Sequence, residues 1–276
     1  MKARVLLALY AILIVPGLVL PQLAFGQTYS PKEATSLPSG SIASGQSNLK
    51  PEEAWPNPVD DMDTFTFFLS EILEYRTKNG DDEMTWDVFG WHGGDYNRLW
   101  IKSEGSASTR NSSGDGDFQL LYGRLISRYF DFQLGFRYEQ LWNDEGSDHS
   151  RGFGVIGFQG LAPYYFDIEP TLFVSQDGDV SARFTATYDI LLTQRLILQP
   201  RIEGNAAVQD NEKFSVGSGI NNVEAGLRIR YEFKREFAPY IGINYGRRFG
   251  ETADFARMDD EDTQDWSFVS GVRLWF

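Results

Sequence analysis

The segment FVSGVRLWF (Phe268–Phe276) decides the fold. Phe268, Val272, Leu274 and Phe276 fall on one parity; Val269, Gly271 and Arg273 fall on the other. Alternation with period two marks a strand with two different faces. One face is apolar to its last residue, and the other carries an arginine. Soluble domains usually end on frayed, polar residues, so this apolar face calls for an apolar medium.

Eleven stretches of similar texture precede it, at 63–76, 84–93, 96–105, 116–127, 130–142, 151–161, 164–175, 179–191, 195–208, 220–233 and 237–249, with the last at 265–276. Turn residues bound each one. Their length suits tilted transmembrane strands, which need about 9–11 residues. The connectors alternate in kind. Short ones fall at Gly94-Asp95, Arg128-Tyr129, Ala162-Pro163, Thr193-Gln194 and Lys234-Arg235-Glu236. Mostly longer, acidic ones fall at 77–83, 105–115, 143–150, 176–179, 209–218 and 250–263. Short turns on one rim and longer loops on the other characterise outer-membrane barrels.

The strand faces agree. Phe132, Leu134, Phe136 and Tyr138 oppose Gln133, Arg137 and Glu139. Ala182, Phe184 and Ala186 oppose Arg183, Thr185 and Thr187. Leu196, Leu198 and Ile202 oppose Gln199, Arg201 and Glu203, and Leu227, Ile229 and Tyr231 oppose Arg228, Arg230 and Glu232. A soluble sandwich would alternate too, but its polar faces would carry lysine more freely. The balance of Arg, Glu and Asp points to pairing across a narrow interior. The expected fold class is all-β: an antiparallel transmembrane β-barrel of about 12 strands at 63–276, with a polar lumen and an aromatic C-terminal strand. Asp167 and Glu169 share a lumen face and are expected to bridge to Arg137, Arg183 or Arg201.

The start of the chain is different. Lys2 and Arg4, an apolar run from Val5 to Leu20 and the small-x-small pattern Ala24-Phe25-Gly26 read as a signal peptide over 1–26. Residues 27–62 are rich in Ser, Pro, Gly and Glu and read as a flexible periplasmic tail. The net charge of −14 excludes nucleic acid as a partner. The absence of cysteine excludes disulfides and thiolate metal sites.

Signals for catalysis are weak. Nucleophilic catalysis needs a base beside the nucleophile. His92 in WHGGD and His149 in NDEGSDHS belong to no such motif, so the chain is expected not to be an enzyme; a lipid-face esterase would need a Ser–His pair. Gly152-Phe-Gly154-Val-Ile-Gly157 spells a dinucleotide fingerprint but lies within a strand pattern. The acidic run MDDEDT (258–263) lacks the spacing of a calcium loop. Met62 precedes the first strand and His92 closes the second, so antiparallel pairing would bring them to one rim. Thioether and imidazole together suit copper.

The segments WPNPVDDMDTFTFFLSEILEYR (55–76), GGDYNRLWIKSEG (93–105), APYYFDIEPTLFVSQDGDVSARF (162–184), YDILLTQRLILQPRIE (188–203) and REFAPYIGINYGRRFGETADFAR (235–257) carry a family likeness. Together the chain resembles the copper resistance protein B family over about residues 55–276. The resemblance implies a bacterial outer-membrane barrel in copper detoxification, exporting or sequestering periplasmic copper ions, with a periplasmic multicopper oxidase as partner. It also matches the habit of outer-membrane proteins of ending on an aromatic residue read during barrel assembly. The family typically carries a Met/His-rich amino-terminal segment; here 27–62 holds one Met and no His, so no ligands carry over from it. A general small-solute channel is the rival reading.

Overall fold

The computed structural model describes residues 63–78, 82–110, 112–143, 148–258 and 261–276. The expected signal peptide and tail, and Met62 with them, lie outside the described residues. One sheet contains β1 (Phe65–Thr77), β2 (Glu83–Gly93), β3 (Asn97–Ser108), β4 (Gly114–Ser127), β5 (Phe130–Trp142), β6 (His149–Ala162) and β7 (Phe166–Ser175). It continues through β8 (Val180–Thr187), β9 (Ile190–Leu191), β10 (Leu196–Ala207), β11 (Gly219–Tyr231), β12 (Phe237–Arg248) and β13 (Gln264–Trp275). Neighbours pair antiparallel, and β1 pairs β13, so the sheet closes on itself. β8 and β9 meet β10 in one register, Thr187 facing Arg201 and Ile190 facing Leu198. They are two parts of one crossing, which makes a barrel of 12 crossings. The break at Tyr188–Asp189 falls where the β7 ladder ends, at Asp167 opposite Thr187.

Closure abolishes sheet edges, which a membrane-spanning sheet must do. The seam is stitched at the last residue of the aromatic strand segment: Phe276 and Phe68 exchange backbone hydrogen bonds of 2.9 and 3.0 Å. The Phe276 ring stays outside. So do Phe136, Ile241 and Phe268, which are 75%, 67% and 73% exposed, whereas Val269 on the opposite parity is 3% exposed. A continuous apolar band of this kind marks a surface made for an apolar environment.

Two boundaries differ from expectation. Residues 105–115 were expected to form a loop, but β3 runs on to Ser108 and β4 begins at Gly114. Their small residues serve packing: a Cβ at Gly116 would sit 3.2 Å from the Trp86 ring, and one at Gly114 2.7 Å from that of Trp142. Both indoles pack against these glycines. The loop at 250–263 contains a helix, α1 (Gly250–Met258), which buries Ala253 and Ala256. Glu251 in its first turn and Arg257 in its last complement the helix dipole.

A β-bulge in β1 controls which side chains enter the lumen. Ser70 faces Val88 and Ile72 faces Asp87, leaving Glu71 as the extra residue. Leu69 and, at the bulge, Ser70 are buried; after it Ile72, Glu74 and Arg76 are, and Glu71 lines the lumen cleft. The inward parity thus switches from odd to even within one strand.

Candidate functional site

The lumen is the place where polar chemistry concentrates. At one wall Glu74, 1% exposed, accepts a bidentate pair from Arg228, at 2.9 Å from Nε and 2.8 Å from Nη2. Arg76 Nε donates to it at 2.7 Å and the Tyr240 hydroxyl at 3.1 Å. Bidentate, charge-assisted contacts are the strong class of hydrogen bond. Replacing Tyr240 with Phe removes one donor to a buried carboxylate. The expected cost is about 1.5–3 kcal/mol, read as a shift in the denaturation midpoint of the detergent-refolded barrel.

Other pairs cross the lumen. Arg183 on β8 bridges to Glu104 on β3. Arg201 on β10 reaches Asp87 on β2 at 3.0 Å, and Lys102 on β3 reaches Glu169 on β7 at 2.6 Å. Glu203 braces Arg201 at 3.1 Å and Arg183 at 3.7 Å. Arg137 binds Asp117 at 2.5 Å and Glu139 at 2.9 Å, and Arg230 binds Asp189 at 2.5 Å. The bridges that Arg183, Arg201 and Lys102 make across the barrel form a waist. Towards the long-loop rim lie adjoining cavities of about 450 and 360 Å³, both bordered by Arg137 and Arg183. At the waist only a cleft of about 30 Å³ remains.

The cleft is unbalanced. Glu71, Asp87, Glu104, Asp167 and Glu169 line it against Lys102, Arg183 and Arg201. Among the described residues neither Glu71 nor Asp167 has an ion pair. The expectation that Asp167 and Glu169 bridge to Arg137, Arg183 or Arg201 is corrected: Glu169 takes Lys102, and Asp167 takes no cation. The arginines already have carboxylates on neighbouring or opposite strands, which leaves Asp167 over.

The lumen is also less uniformly polar than expected. Trp100, Leu121, Phe153, Val155 and Phe173 form a buried apolar cluster, with Phe89 and Trp91 packed against it. Gly123 makes room for the Trp100 indole, on which a Cβ would fall. Arg137, Glu139, Arg183, Arg201, Glu203, Arg228 and Arg230 all join the ion-pair lattice. Sequence reading missed their partners Glu74, Asp87, Lys102, Glu104 and Asp117. Inward parity flags Asp87, Lys102, Glu104 and Asp117 once the strands are placed; counted from Leu69 it also reaches Glu71, but it misses Glu74 because the bulge shifts the count.

His92 lies on the outer face, opposite Thr66. Its Nδ1 is 2.8 Å from the Thr66 hydroxyl, so Nδ1 is occupied and Nε2 is left for any further partner. Thr66 stands four residues beyond Met62 in the chain. Among the described residues no group of three or more His, Asp or Glu is placed to hold a metal ion.

A closed barrel with an apolar outer band, short turns on one rim and a charged interior defines an outer-membrane β-barrel. Two porin structures resemble it: the KdgM porin (TM-score 0.47, 11% identity, 77% of this chain and 99% of that one) and the NanC porin (TM-score 0.49, 12% identity, 76% and 99%). Sequence narrows the class. The family model described as "Copper resistance protein B precursor (CopB)" matches residues 64–276. The "Copper resistance protein B" of Escherichia coli is 40% identical over 208 residues, covering 75% of this chain and 68% of that protein. The "Copper resistance protein B homolog" of Pseudomonas syringae pv. tomato is 38% identical over 218 residues, covering 79% and 72%. The chain belongs to the copper resistance protein B family.

Proposed function

We propose that this protein serves copper resistance as a non-enzymatic cation conduit in the outer membrane, held shut at rest, through which periplasmic copper is exported. The observation that carries this reading is the waist. It is closed by exchangeable ion pairs, and its cleft holds five carboxylates against three cations. Rings of acidic side chains favour cations in pores, and a general channel for neutral solutes has no need of that excess. Copper is cargo here. The waist offers carboxylate oxygen, a hard ligand that passes a cation without selecting copper, whereas thioether and imidazole would select it. Selection is assigned to the periplasmic rim, where the free Nε2 of His92 and the thioether of Met62 are the proposed contacts. A periplasmic multicopper oxidase of the same resistance system is the proposed partner at that rim.

The experiment is copper tolerance, with periplasmic copper content, in a deletion strain. Deletion is expected to lower tolerance and raise periplasmic copper, and the intact gene to restore both. Met62→Ala/His92→Ala is expected to restore less. Full rescue by that variant would remove the rim contacts and leave the conduit; an unchanged deletion strain would turn the assignment to a general solute channel.

A further inference from the structure

Between the outer mouth and the waist, phenylalanine and arginine alternate without a gap. The loop 208–218 turns its tip, Glu212–Phe214, over the larger cavity. The Phe214 ring lies 3.9 Å from the Arg151 guanidinium carbon. Arg151 also lies over Phe153, at 4.8 Å. Arg137 packs against the Phe153 and Phe173 rings, at 5.3 and 4.6 Å. Arg183 follows over Phe173 at 5.7 Å, and Arg183 is the residue that bridges the lumen to Glu104. The ladder thus joins a loop tip to the waist through side chains of β6, β5, β7 and β8.

The loop is built as a strap. Asn211 and Val216 pair across its neck, at 2.7 and 3.1 Å. Ser215 sits at φ 51°, a left-handed conformation costly for a residue with a Cβ, which bends the tip. One leg is tied to the turn before β8, with Asn211 Nδ2 donating to Asp179 at 2.9 Å. The other is tied to α1, with Gly217 N donating to the Thr252 hydroxyl at 2.8 Å. Both legs are anchored, and the tip's ring packing on Arg151 and on His149 (5.9 Å between rings) can be broken without unfolding a strand.

We propose that Phe214 is the latch of the lumen. It clamps Arg151, fixes the Arg137 and Arg183 side chains through the shared rings, and thereby holds the Arg183–Glu104 bridge closed. Withdrawal of the strap towards the outside frees the ladder and lets the waist part. This rests on the reading that ion pairs at the waist close the lumen, and the test separates the two.

Single-channel recordings in planar bilayers compare wild type, Phe214→Ala, and Arg183→Ala/Arg201→Ala. Because the chain has no cysteine, Phe214→Cys/His149→Cys can be bridged cleanly by a short, cleavable thiol cross-linker. Phe214→Ala is expected to raise open probability about tenfold, the equilibrium effect of losing one partly buried cation–π contact. The cross-linked pair is expected to stay shut and to open once the linker is cleaved. Phe214→Ala as quiet as wild type, beside an open Arg183→Ala/Arg201→Ala, would overturn the latch and keep the waist. Silence of both would overturn the latch and the waist together. If Phe214→Ala fails to assemble, the cross-linked pair decides: openings with the linker in place overturn the latch.

Discussion

Glu74→Ala is expected to lower the unfolding free energy of the barrel by about 3–5 kcal/mol, the cost of breaking a buried pair by removing one partner. The carboxylate is 1% exposed and receives Arg228, Arg76 and Tyr240. Its loss leaves the Arg228 guanidinium, 4% exposed in its side chain, without its carboxylate. Arg76 retains Glu224 at 3.3 Å and Glu83 at 3.7 Å, so Arg228 carries most of the penalty. Denaturant titration of the detergent-refolded protein checks this. A change below about 1 kcal/mol, the range of an exposed ion pair, would mean that water reaches this wall of the lumen freely. Arg228→Ala should cost nearly as much as Glu74→Ala, and the double variant less than the sum, since the two share one interaction.

Arg183→Ala/Arg201→Ala is expected to turn a mostly silent barrel into an open, cation-selective one. The substitutions remove both arginine bridges across the waist and leave Glu104, Asp87 and Glu203 without these partners. The direction of selectivity follows from the charge that remains. A cleft lined by one sign of charge concentrates counter-ions roughly 10- to 1,000-fold, so cation current should rise at least about tenfold in planar bilayers. Glu104→Gln/Asp87→Asn breaks the same bridges but leaves the arginines, and its reversal potential should move towards anions. Equal and unselective currents from both variants would show that the bridges act as steric filling alone.

Much of the barrel was legible because two-residue periodicity and alternating connector length survive in one dimension. Phe268 and Val269 announce their faces by parity alone, and the connectors at Arg128-Tyr129 and Ala162-Pro163 lie where the ladders turn. What failed to read has physical causes. Gly105 and Gly114 look like loop residues until Trp86 and Trp142 are seen lying over that part of the sheet. The helix at Gly250–Met258 is short, and two alanines carry its burial. The bulge at Glu71 reverses inward parity, so a count carried on from Leu69 reaches Glu71 but leaves Glu74 out of the lumen. Arg137, Arg183 and Arg201 were legible as lumen residues, but the choice of partner was not. A cross-lumen pair such as Arg201–Asp87 depends on which strands stand opposite after closure, and no local pattern records that. The Phe–Arg ladder is hidden for the same reason, since its six members come from four strands and a loop.

The most direct test is release from liposomes containing the purified Arg183→Ala/Arg201→Ala barrel, whose waist bridges are removed, loaded either with Cu(II) or with sucrose. Copper release above that of protein-free liposomes is expected, with sucrose retained. Sucrose escaping as fast as copper would contradict that expectation and identify a general pore, and copper held as tightly as in protein-free liposomes would show that the lumen conducts nothing.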